Sequence, residues 1–87
     1  ESAAVQDTLA MALLADDRLK EAKNAIAKAL GKTPDNPSMR FHRILINLAS
    51  GQKSSGLSEL QRLLKAQEAF PERAEAETLL IKLGRGL

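Results

Sequence analysis

The amino-acid sequence predicts an all-α protein of about five antiparallel helices, and three observations carry that reading. Apolar residues return at i, i+3, i+4 and i+7 in segment after segment, while no stretch alternates with the period of a strand. Aromatic residues make up only 2% of the 87 positions, with two Phe and no Trp or Tyr. A core without large rings is built from Ala, Leu and Ile at close helix–helix contacts. The chain also echoes itself at a spacing of 34: Leu14 with Leu48, Asp17 with Gly51, Ala22 with Gly56, Ile26 with Leu60, Leu30 with Leu64, Pro37 with Pro71.

The first helix is expected over residues 2–15, with Val5, Leu9, Ala12 and Leu13 on one stripe and Met11 and Leu14 beside it. Five alanines in this segment favour the helix and let neighbours come close. Two apolar faces predict packing against more than one neighbour. Asp16-Asp17 interrupts it, and Asp17 reads as an N-cap for the next helix. That second helix, about 18–30, sets Leu19, Ile26 and Leu30 beside Ala22, Ala25 and Ala29. Gly31 reads as the left-handed residue that ends it. Pro34 cannot continue a helix, whereas Pro37 suits the first turn of the next, behind the capping residue Asn36.

A third helix, about 37–50, carries Phe41, Ile44, Leu45 and Leu48, and Gly51 closes it. Lys53 to Gly56 reads as a polar turn in which Ser55 caps a fourth helix, about 56–68, burying Leu57, Leu60, Leu63 and Leu64. Phe70-Pro71-Glu72 forms another corner. The fifth helix, about 72–84, presents Ala76, Leu79, Leu80 and Leu83 on one side. Glu72, Glu75 and Glu77 lie near its N-terminus, where negative charge is favoured. Residues 84–87 are expected to fray. Short turns make neighbouring helices antiparallel.

Composition narrows the function classes. Hydrophobic residues at 44% and charged residues at 28% suit one soluble globular domain. With no cysteine there is neither a disulfide framework nor a thiolate metal site. A net charge of +2 is too small to imply a polyanionic partner, and aromatic stacking residues are scarce, so no nucleic acid is expected. No apolar run approaches the roughly 20 residues that span a bilayer, so no membrane insertion is expected. Glu1-Ser2-Ala3-Ala4-Val5 has neither an initiator Met nor a signal-peptide pattern, which predicts a processed protein or an excised part of a longer one.

A helix–turn–helix period of 34 residues is the spacing of tetratricopeptide repeats (TPR). The unit Ala3–Asn36 resembles that family in Leu9, Ala10, Leu13, Leu19, Ala22, Ile26, Ala29, Leu30 and Pro34. The second unit departs from the pattern at Arg43, Gly56 and Glu68, where Leu, Ala and Pro are usual. The resemblance implies one domain over 1–87: repeat one 3–36, repeat two 37–70 and a capping helix 71–84, a fragment of a right-handed α-solenoid. More narrowly, Pro34-Asp35-Asn36-Pro37-Ser38-Met39-Arg40-Phe41-His42 and Phe70-Pro71-Glu72-Arg73-Ala74-Glu75-Ala76 resemble the last repeats of bacterial envelope and exopolysaccharide-export proteins. That likeness implies a periplasmic or envelope setting; the residues themselves leave the cytoplasm open.

No catalytic set is evident: one His, no Cys, no Gly-rich phosphate loop and no helix-borne metal pair. The expectation is no enzyme, no cofactor and no metal site. Two readings of His42 stay open, a packing histidine near the proline corner or a polar contact in a binding groove. Arg40, Arg43, Lys53, Arg62 and Lys65 read as a solvated face rather than a basic strip. In TPR proteins the first helix of each pair lines a concave surface where peptides bind. That resemblance places Asp7, Met11, Leu14 and Ala15, then Ser38, Phe41, His42, Leu45, Leu48 and Ala49, on such a face. Asp7 and Met11 stand where chaperone-binding members carry a Lys/Asn carboxylate clamp, so an acidic tail is a poor fit. The implied partner is a protein or peptide, with an adjacent repeat or a second copy as the alternative. The purely structural reading is a solenoid cap with no ligand. Two and a half repeats are few for a solenoid. The first helix is therefore expected to leave an apolar surface for a preceding repeat or for self-association.

Overall fold

The computed structural model describes residues 1–67 and 69–85, and Glu68, Gly86 and Leu87 lie outside them. The polypeptide forms five α-helices: α1 (Ala3–Ala15), α2 (Leu19–Lys32), α3 (Pro37–Ala49), α4 (Lys53–Ala66) and α5 (Arg73–Arg85). There is no strand among the described residues. Adding 34 to the bounds of α1 and α2 gives those of α3 and α4.

The same period governs the backbone at each junction. Ser2 and Asn36 are both extended N-caps, and each side-chain oxygen accepts the amide three residues on, from Val5 at 3.1 Å and from Met39 at 3.0 Å. α1 and α3 end alike. Arg18 N–H donates to Leu13 and Asp17 N–H to Leu14; Gln52 N–H donates to Asn47 and Gly51 N–H to Leu48. These are paired Schellman closures, and each needs a left-handed residue. Asp17 fills that place at φ +58° and Gly51 at +84°.

Several sequence expectations are corrected here. Asp17 is the left-handed residue of the closure rather than an N-cap, and the cap position falls to Arg18, whose side chain makes no capping bond. Arg18 instead pairs with Glu21 at 2.8 Å. Gly31 does not end α2, which runs on to Lys32 because the next backbone break is at Thr33. Ser55 lies inside α4, which starts three residues earlier than expected because the Gln52 corner repeats the Arg18 corner. Gly84 and Arg85 belong to α5. The expected closing position at Glu68 and the fraying of residues 86–87 lie outside the described residues.

Each helix packs on the next in sequence, and α1 also touches α3. The Cα envelope measures 37 × 27 × 17 Å, so the assembly is two helix layers deep. Two separate apolar clusters share α3 as their wall. Met39 and Ile46 face the first, with Ala10, Ala22, Ala25, Ile26, Ala29 and Leu30. Phe41 and Ile44 face the second, with Leu60, Leu63 and Ala76. Small residues dominate the first cluster because α1 and α2 approach closely. Leu79, Leu80 and Leu83 of α5 close the second. Leu57 and Leu64, expected in the core, are half-buried.

Candidate functional site

The residues that the sequence expected on one face divide into three environments. Asp7, Ser38 and His42 form a polar cluster. His42 Nδ1 lies 2.6 Å from Asp7 Oδ1, across α3 to α1. An ionised carboxylate only accepts, so Nδ1–H is the donor. Ser38 Oγ donates to Glu72 Oε1 at 2.7 Å, and His42 Nε2 lies 3.8 Å from Glu72 Oε2. His42 thus stands between a carboxylate from α1 and one from the turn that leads into α5. Its side chain is 16% exposed and that of Asp7 17%, so water screens this pair less than a surface pair.

Ser, His and Asp meet here, yet they do not form a nucleophilic triad. The Ser38 hydroxyl gives its proton to Glu72, and no Ser38–His42 hydrogen bond is made among the described residues. A serine nucleophile needs that bond to its base. Among the described residues, no group of three His, Asp or Glu is placed to hold a metal ion.

Phe41 and Leu45 lie in the second environment, a groove between α3 and α5. Ala74, Glu75, Thr78, Leu79 and Lys82 complete its lining, around a volume of about 440 Å³. Glu75 and Lys82 are exposed at its rim, seven residues and therefore two turns apart on α5. Phe41 is only 1% exposed. Its ring belongs to the second core and underlies the groove, so it is not a side chain that a partner grips. Leu45 is half-buried and forms the accessible part of the floor.

Met11, Leu14 and Leu48 make up the third group. Leu14 packs on the first cluster and Leu48 on the second, and Met11 is half-buried on α1. Leu14 and Leu48 thus serve packing within the domain. Ala15 and Ala49, at the ends of α1 and α3, are exposed.

Three features were missed at the level of sequence. Glu72 read as a helix-start charge, but it joins the His42 cluster. Arg73 donates to the Leu64 and Gln67 carbonyls and thereby caps α4. Gln6 is 8% exposed and its amide donates to Glu1. The first could have been found from spacing: Asp7 and His42 lie one period plus one residue apart, and Ser38 and Glu72 one period apart. Of the basic residues, Arg43 pairs with Glu59 at 2.7 Å, so it is not a free cation.

The chain matches no protein-family model, no curated protein and no solved structure. No described helix is long and apolar enough to cross a membrane.

Proposed function

We propose that the protein is a non-enzymatic interaction scaffold of the tetratricopeptide type, which buries a partner helix or extended peptide in the groove between α3 and α5. The observation that carries this reading is the groove's make-up: an apolar floor of Leu45 over Phe41, a wall of Leu79, and opposite charges at the two ends of the rim. Such a surface suits an amphipathic helix, whose apolar ridge fills the floor while polar residues set its register. Glu75 and Lys82 select direction, because one orientation of a charged partner meets opposite charges and the other meets like ones. The 34-residue repetition of caps and closures supports the repeat class.

The second reading is a structural cap that binds nothing, and the placement of α5 favours it. Ala76 and three leucines of α5 cover a core that would otherwise face water.

Selection of displayed helical peptides on the immobilised protein separates the two readings. The scaffold reading expects enriched sequences with apolar residues at i, i+3 or i+4, and i+7. Their amide shift changes should map to Leu45, Thr78, Leu79 and Lys82, and Leu45→Glu should abolish binding while helicity stays intact. No enrichment supports the cap instead, and binding that is indifferent to Leu45→Glu contradicts the groove.

A further inference from the structure

A second cleft lies on the other side of α3 from the groove. Lys23, Ile26, Ala27, Leu30 and Gly31 of α2 form one wall, spaced as a single helical stripe, and Arg43 and Asn47 of α3 form the floor. Two residues turn an α-helix by about 200°, so Arg43 and Asn47 lie opposite Phe41 and Leu45. The cleft has a volume of about 420 Å³, within the range of small-molecule sites.

Its polar groups leave donors over. Glu59 of α4 accepts from Arg43 Nη2 at 2.7 Å and from Asn47 Nδ2 at 3.3 Å. Arg43 Nε is buried without a hydrogen-bond partner, and no described residue accepts from Nη1. Lys23 Nζ reaches the neutral Gln52 Oε1 at 3.4 Å and makes no ion pair among the described residues. Two cations thus share one carboxylate, and a single positive charge is left over. A guanidinium presents its donors in a fork that fits a second carboxylate, and a buried donor without a partner is costly. The flanking helices add to this field. α2 and α4 together carry seven Lys or Arg and two Glu, and both glutamates are already paired, Glu21 with Arg18 and Glu59 with Arg43. An anion is drawn to this side of the fold.

The wall selects among anions. Ile26 and Leu30 give it an apolar base, while Ala27 and Gly31 are exposed. Nothing stands within 4 Å of the place that a Cβ on Gly31 would take, so an aliphatic chain of several carbons has room there.

We propose that this cleft binds a free aliphatic monocarboxylate. The carboxylate sits between Lys23 Nζ and the Arg43 nitrogens that Glu59 leaves free, and the chain lies along Ala27, Leu30 and Gly31. One negative charge balances the surplus, whereas a phosphate dianion would place excess negative charge beside Glu59. The site is separate from the groove and stands whether or not the groove takes a peptide.

The test is an amide chemical-shift titration of the 87-residue chain with hexanoate in about 0.15 M salt. Hexanoate is expected to move Lys23, Ala27, Gly31 and Asn47 with a Kd of about 1 mM. Acetate and hexylammonium should bind about tenfold more weakly or worse, the first for want of a chain and the second for want of the charge. Lys23→Gln and Arg43→Lys should each weaken hexanoate about fivefold with circular dichroism unchanged; Arg43→Lys keeps a cation for Glu59 and loses the fork. If Arg43→Lys unfolds, Lys23→Gln carries the test, because Lys23 makes only the one weak contact. Hexanoate that moves no cleft amide at about 20 mM overturns the proposal, as does equal binding of hexylammonium or an affinity indifferent to Lys23→Gln. Tighter binding of N-acetyl-leucine than of hexanoate also overturns it and assigns the cleft to the C-terminus of a peptide.

Discussion

Gly56 of α4 packs against Leu48 of α3, and replacing it with alanine sets two effects of known size against each other. Its position is fully inside α4, so alanine improves helix propensity by about 1 kcal/mol. Against that, the new methyl would stand 2.6 Å from Leu48 Cδ2 and 2.8 Å from Leu48 Cγ. Carbon atoms pack at about 3.5–4.0 Å, so about 1 Å is missing. Overpacking of this kind costs about 1–3 kcal/mol. The clash wins, and Gly56→Ala should destabilise the protein by about 1 kcal/mol. Leu48→Ala alone should cost about 1.5 kcal/mol, less than a fully buried leucine because Leu48 is half-buried. On that background Gly56→Ala meets no clash and should stabilise by about 1 kcal/mol. The two substitutions therefore couple by about 2 kcal/mol, well above the few tenths at which distant sites add. Urea unfolding followed by circular dichroism at 222 nm measures the cycle. The reasoning fails if Gly56→Ala has the same sign in both backgrounds, or if the coupling is below about 0.5 kcal/mol.

The two helix closures predict opposite responses to glycine. Asp17→Gly should stabilise by about 0.5 kcal/mol by relieving a left-handed L-residue, and Gly51→Ala should destabilise by about 1 kcal/mol; the shift of the urea midpoint reads both, and equal signs would contradict it. Ile26→Ala and Leu60→Ala, equivalent and 1% or less exposed, should each cost about 3 kcal/mol, whereas Leu9→Ala should cost under about 0.5 kcal/mol. Chemical denaturation that ranks Leu9 beside Ile26 would place α1 differently. Asp7→Ala and His42→Ala should couple by about 1 kcal/mol in a double-mutant cycle, because each removes the same 2.6 Å bond. Additive losses would mean that the pair does not link α1 to α3.

Helix existence was legible because apolar spacing and proline position are local properties. Pro37 behind Asn36 marked the start of α3 to the residue. Boundaries set by turn conformation were not legible from composition. Asp17 looked like a cap because aspartate favours that role, yet it also tolerates the left-handed region, and the Schellman closure claims it first. Gly31 looked like a terminator, but a glycine ends a helix only where the backbone turns left-handed, and the chain does not turn there.

The contacts of the candidate site were not legible in the sequence. Resemblance placed Phe41 where a partner would touch it, whereas close approach of α4 and α5 draws its ring into the second core. Asp7, Ser38 and His42 were named together, but their link through Glu72 depends on how the turn before α5 folds back. Periodic spacing pairs residues on neighbouring helices. It does not say which of them bond.

The most direct measurement is a methyl NOE spectrum of the protein with its isoleucines, leucines and alanines labelled. If α3 is the wall between two successive hairpins, Ile46 will show contacts to Ala10, Ile26 and Ala29, and Ile44 will show contacts to Leu60, Leu63 and Ala76. Should Ile44 and Ile46 share one set of neighbours, the helices form a single closed bundle and the stacked-hairpin description is wrong.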